Sequence, residues 1–89
     1  MSRGIGVLQR EILAELAHDH ERYDEDERGL WMTELREFLG GYTDIRQLRR
    51  AVRALESRGL VVITKHHMLH QRGSALLVRI TGAGLAAAR

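Results

Sequence analysis

Residues 43 to 64 read TDIRQLRRAVRALESRGLVVIT, a stretch that holds a helix, its stop and the start of a strand. Ile45, Leu48, Val52 and Leu55 recur at helical spacing and form one apolar stripe. Thr43 or Asp44 can cap the start, and Asp44 with Gln47 has the spacing of a capping box. Ser57-Arg58-Gly59 supplies the stop. Past the glycine the pattern changes, because Leu60 to Thr64 is an apolar, β-branched run of the kind that forms strands.

A second such run, Ala75 to Thr81, follows Gln71-Arg72-Gly73-Ser74, so the two runs are expected to pair as a hairpin. With Arg72 and Gly73 as a two-residue turn, Leu69 faces Leu76, His67 faces Val78 and Lys65 faces Ile80. Thr81 then caps a last short helix, Gly82 to Ala88, which its two glycines weaken. Upstream, Leu30-Trp31-Met32 reads as a short strand, and Thr33 as the cap of a helix carrying Leu35, Phe38 and Leu39. That helix stops at Gly40-Gly41. Trp31, Leu35, Phe38 and Tyr42 are assigned to the core and its edge. At the start of the chain, Ile5, Leu8, Ile12 and Leu16, with Leu13 and Ala17 beside them, make an amphipathic first helix. Residues 18 to 29 hold six acids and almost nothing to bury, so this helix is expected to fray into an exposed acidic connection ending at Gly29.

Helix, short strand, two helices and a hairpin follow one another in the order of a winged helix-turn-helix. The segment from Leu48 to Val61 resembles the recognition helix and exit of MarR-like and PadR-like regulators. In those families a helix rich in leucine and arginine ends in a glutamate, a basic residue and a Gly-Leu-Val step. Ile80-Thr81-Gly82-Ala83-Gly84-Leu85 is similar to the leucine-threonine-x-x-glycine segment that ends their wing. The resemblance implies one α+β domain over residues 1 to 89: a three-helix bundle, a β-hairpin wing and a short C-terminal helix. It implies a sequence-specific binder of double-stranded DNA acting as a small transcriptional regulator. The third helix, residues 43 to 58, would enter the major groove, and the wing, residues 60 to 81, would lie on the backbone or minor groove. Those regulators dimerise through long helices outside the wing, whereas eight residues follow Thr81 here. A homodimer is an expectation resting on paired half-sites and on Met68, Leu69 and Leu77 as an apolar side of the wing.

Charge is divided along the chain. Residues 45 to 89 hold nine basic residues against one acid, Glu56, a net of +8, whereas residues 1 to 44 hold five arginines against eleven acids, a net of −6. The formal total of +2 conceals a face drawn to polyanions and a back that they repel. With the apolar stripe inward, Arg46, Gln47, Arg49, Arg50 and Arg53 are left on the outer faces of their helix. An inert exposed helix mixes signs, yet residues 45 to 55 contain no acid. Arginine can span guanine O6 and N7, glutamine can pair with adenine, and both hold phosphate. Thr43 and Asp44 stand where base edges or phosphates would be met first. At the wing tip, Arg72 with Gly73 and Ser74 would reach the minor groove or a phosphate, and Lys65 and Arg79 would add phosphate contacts from the strands.

A chain of 89 residues supports a small core, which argues against a deep cofactor pocket. Without cysteine it has neither a disulfide framework nor a thiolate metal site. No nucleophile, base and oxyanion donors converge in the pattern, so neither catalysis nor a cofactor is expected. His66, His67 and His70 share a strand and turn, and His18 and His20 sit among acids, but neighbours on a strand point to opposite faces. His66 and His70 would lie about 13 Å apart on an extended strand, too far for one ion, so no metal site is expected and the histidines are read as solvated or phosphate-contacting. The N-terminus has no apolar run long enough for a signal peptide or membrane span, so a soluble cytoplasmic, nucleoid-associated protein is expected. Segment 19 to 27 is a solvated acidic loop that could meet a basic protein partner. The competing expectation for the whole chain is a winged helix used for protein association without DNA.

Overall fold

The computed structural model describes residues 6–25, 28–41, 43–67 and 74–89. The stripes and runs of the sequence become seven elements: α1 (Val7–Arg22), β1 (Leu30–Trp31), α2 (Met32–Phe38), α3 (Ile45–Ser57), β2 (Val61–His67), β3 (Ser74–Ile80) and α4 (Gly82–Ala88). The strands form an antiparallel sheet in the order β1-β3-β2, with the hairpin at one side and the two-residue β1 at the other. The architecture is therefore α+β, helices packed on one face of a small sheet. Among the described residues no helix is long and apolar enough to cross a membrane.

Each helix contributes its stripe to one core. Ile12, Leu13 and Leu16 of α1, Leu35 of α2 and Leu48, Val52 and Leu55 of α3 are closed off from solvent, with Val61 and Val78 of the sheet beneath them. Full burial of such a side chain stabilises by about 1.5–3 kcal/mol. Leu30, Met32 and Ala51 complete the set, while Ile5 lies outside the described residues. Phe38 is not a core residue: it is 57% exposed. The buried face of α2 is filled by Met32 and Leu35, and Leu39, one position further on, packs inward where Phe38 was expected.

The helix ends follow identifiable chemistry. α2 starts at Met32, one residue before the cap expected at Thr33, because the Glu34 carboxylate reaches back to accept from the Trp31 N–H at 3.0 Å. The strand before it accordingly stops at Trp31. α2 and α3 terminate alike. Gly40 and Gly41 donate to Glu37 and Arg36 carbonyls, each at 3.0 Å, and Gly59 and Leu60 donate to Glu56 and Leu55 carbonyls at 2.9 and 3.0 Å. This pattern needs a left-handed residue at the turn, and Gly40 and Gly59 have φ of 93° and 75°.

The hairpin corrects the expected register. Val61 pairs with Ile80, Ile63 with Val78, Lys65 with Leu76 and His67 with Ser74, so Lys65 does not face Ile80 and His67 does not face Val78. The turn expected at Arg72-Gly73 falls outside the described residues. Leu69 and Arg72 themselves lie outside the described residues, as does Tyr42. The register is set at the other end of the hairpin. Gly59 determines where β2 can begin, and Thr81, just past β3, donates its N–H to the Leu60 carbonyl at 3.0 Å and its hydroxyl to the Gly59 carbonyl at 2.7 Å. Expected and observed registers differ by four positions, an even slip that keeps every side chain on its own face. The apolar alternation could not separate them.

The Thr81 hydroxyl also caps α4, accepting from the Gly84 N–H at 3.0 Å. Gly84 is more than a weak helix former. It is buried, and a Cβ there would run into the Leu60 carbonyl oxygen and the Ile80 side chain. α4 can approach the start of β2 only because this position has no side chain. Gly82, in the same helix, faces open space. Gly84→Ala is therefore expected to lose about 1–3 kcal/mol in urea unfolding, whereas Gly82→Ala should be neutral or gain up to about 1 kcal/mol. Equal effects at the two positions would contradict the close approach.

Candidate nucleic-acid interface

The inward packing of Leu48, Ala51, Val52 and Leu55 decides what α3 shows to solvent. Arg46, Gln47, Arg49, Arg50 and Arg53 are all exposed. By helical spacing Arg46, Arg50 and Arg53 stand opposite the buried stripe. Arg49 leans toward the hairpin, where it borders a shallow cleft with Ile45, Thr33 and Leu76. Gln47 and Arg50 border the start of α1 beside Leu8 and Ala54. Among the described residues, no carboxylate pairs with any of these four guanidinium groups. The face is a set of like charges carried on one helix.

Both residues at the start of α3 are occupied in building it. Asp44 is the cap, its carboxylate accepting from the Arg46 N–H at 3.1 Å. The Thr43 carbonyl accepts from Arg36 Nε at 2.9 Å, tying the α2–α3 turn to α2. In the hairpin, Lys65 is exposed opposite Leu76, and Leu76 shares the cleft of Arg49. The strand alternation thus carries Lys65 to the side of the α3 arginines. Arg79 points to the other face of the sheet, where its Nε donates to the Arg28 carbonyl at 3.1 Å. It is not brought together with the α3 set. Ser74 begins β3, paired with His67, and Arg72 falls outside the described residues.

The acidic connection takes a course that its composition does not suggest. α1 does not fray at residue 18 but runs to Arg22. Asp19 is 7% exposed, and its Oδ2 accepts from the Gly29 N–H at 2.7 Å. Arg28 Nε donates to the carbonyls of His20 at 3.1 Å and Tyr23 at 2.8 Å, a cationic cap on the end of α1. Gly29, at φ 122°, lies against the Leu77 and Arg79 side chains. One carboxylate and one guanidinium therefore fold the segment back, while Glu21, Asp24 and Glu25 remain exposed. Nor is His66 simply solvated: its ring meets Trp31 edge-on, centroids 5.4 Å apart. Among the described residues, no three His, Cys, Asp or Glu side chains converge as metal ligands would.

No protein-family model matches the chain, and neither a curated protein nor a solved structure shows detectable similarity to it.

If the α3 arginines serve a partner rather than the fold, Arg46→Ala, Arg50→Ala and Arg53→Ala should each change unfolding free energy by no more than about 0.5 kcal/mol. Asp44→Ala should lose about 1 kcal/mol as a missing cap, and Asp19→Ala about 1–3 kcal/mol as a lost partner for a part-buried N–H. Losses above the cap's from the arginine changes would assign those side chains to structure.

Proposed function

We propose that this domain is a winged helix-turn-helix that binds double-stranded DNA sequence-specifically, as a small transcriptional regulator. α3 enters the major groove, and the β2–β3 hairpin acts as the wing on the backbone or minor groove. The observation that carries this reading is the exposed face of α3, with four arginines and a glutamine, no acid among them and a buried stripe directly behind. A helix of 13 residues is about 20 Å long, enough to lie along a major groove about 12 Å wide. Arg46, Arg50 and Arg53 are placed to meet base edges or phosphates with paired donors. Arg49 and Lys65, on the hairpin side, suit phosphate contacts.

Asp44 also caps α3, the Thr43 carbonyl ties the α2–α3 turn to α2, and the Arg79 Nε holds the connection before β1. The acids at the end of α1 and in the connection repel DNA from that side, which favours encounters through α3.

Fluorescence anisotropy of labelled duplexes, random and genome-selected, measures the claim. With about six phosphates neutralised, log K should fall against log salt with a slope near −5. A selected duplex should bind about 10³-fold tighter than a random one. Arg50→Ala should cost about 1–3 kcal/mol on the selected site and relax preference at one position, while Lys65→Ala weakens all duplexes alike. An absence of binding even at low salt would contradict the proposal and leave the arginine face to an acidic protein partner.

A further inference from the structure

On the side of the molecule where α1 ends, a cleft of about 280 Å³ opens between α1, β1 and α2. Its walls include Tyr23, Trp31 and Phe38, three of the chain's four aromatic residues. Two of these rings are left unburied by folding: Tyr23 is 41% exposed and Phe38 57%. Three carboxylates, Glu15, Asp19 and Glu34, share the walls with one arginine, Arg22, and with His18. Three carboxylates against one guanidinium give the cleft an acidic excess.

We propose that this cleft binds an organic cation, an ammonium or guanidinium group seated on the aromatic faces and balanced by the carboxylates. Aromatic faces attract cations through the ring quadrupole, and the attraction strengthens where water is excluded. One such contact is already made within the cleft: the Arg22 guanidinium carbon lies 5.7 Å from the Tyr23 ring centroid. Two of the three carboxylates are held in place before any ligand arrives. Asp19 accepts from the Gly29 N–H and Glu34 from the Trp31 N–H, each through one oxygen. Glu15 projects from the turn of α1 before Asp19. An anionic ligand would meet a wall with an acidic excess, and a neutral one would gain less from the carboxylates than a cation does. The site is remote in role from the α3 arginines and stands whether or not they bind DNA.

Trp31 is the only tryptophan, so its emission reports directly on the cleft. The test titrates the protein at fixed pH and ionic strength with choline and with 3,3-dimethylbutanol, its uncharged isostere. Choline should give a saturable change at a concentration about ten-fold lower, or less, than the isostere requires. Phe38→Ala and the isosteric Glu15→Gln should each weaken choline binding by about three-fold or more, with thermal midpoints unchanged. Arginine amide and a short arginine-containing peptide then identify the source of the cation. Tighter binding of the peptide points to a protein partner's side chain, and equal binding to a small molecule. Equal affinity for choline and the isostere, no saturable change up to about 100 mM, or unaltered binding in both variants would overturn the proposal.

Discussion

One hydroxyl joins the parts of this domain that matter most to its shape. Thr81 donates to the carbonyl of Gly59, which ends α3, and accepts from the N–H of Gly84 in α4. Its own N–H holds the carbonyl of Leu60, the residue that leads into β2. The exit of α3, the base of the hairpin and the start of α4 are therefore fixed to one another within a few ångströms. The contact requires a bare backbone at Gly84, because any side chain there would strike Leu60. From this junction follow the register of β2 on β3 and the point at which the hairpin leaves α3.

Charge is organised around the same frame. The inward stripe of α3 leaves no inward place for its arginines, and the absence of acids between residues 45 and 55 leaves them without partners on their own helix. At the end of α1, Asp19 and Arg28 fold the acidic connection back, and Glu21, Asp24 and Glu25 stay exposed there. Separation of this kind costs some self-repulsion within each half, and the cost is small at the ionic strength of a cell. In return the molecule presents its cations on a helix that is already folded, so a polyanion would have to order the side chains but not the backbone.

Much of the architecture could be read from local pattern. The stripes of α1 and α3, the stops at Gly40 and Gly59, and the caps at Asp44 and Thr81 each depend on residues a few positions apart, and each is present in the structure. What escaped reading depends on contacts between distant segments. A four-residue slip of the hairpin preserves its alternation, so only the Thr81 junction selects the register. Asp19 looks like one more acid in an acidic run until Gly29, ten residues on, donates to it. Arg79 has the appearance of a free cation, yet its partner is Arg28, fifty-one residues away. Phe38 sits at a spacing that suits the core, but Leu39 takes that place and leaves the ring at the aromatic cleft. The α3 set was readable because exposure on a helix follows from the position of its stripe. The cleft was not, because its three rings come from α1's end, β1 and α2.

The most direct measurement is an amide chemical-shift map of the labelled protein titrated with duplex DNA at low salt. The largest shifts should fall along residues 46 to 53 and at Lys65, with Asp19, Glu21 and Tyr23 nearly unmoved. Shifts concentrated around Tyr23, Trp31 and Phe38, or none anywhere, would contradict a DNA-binding role for the arginine face.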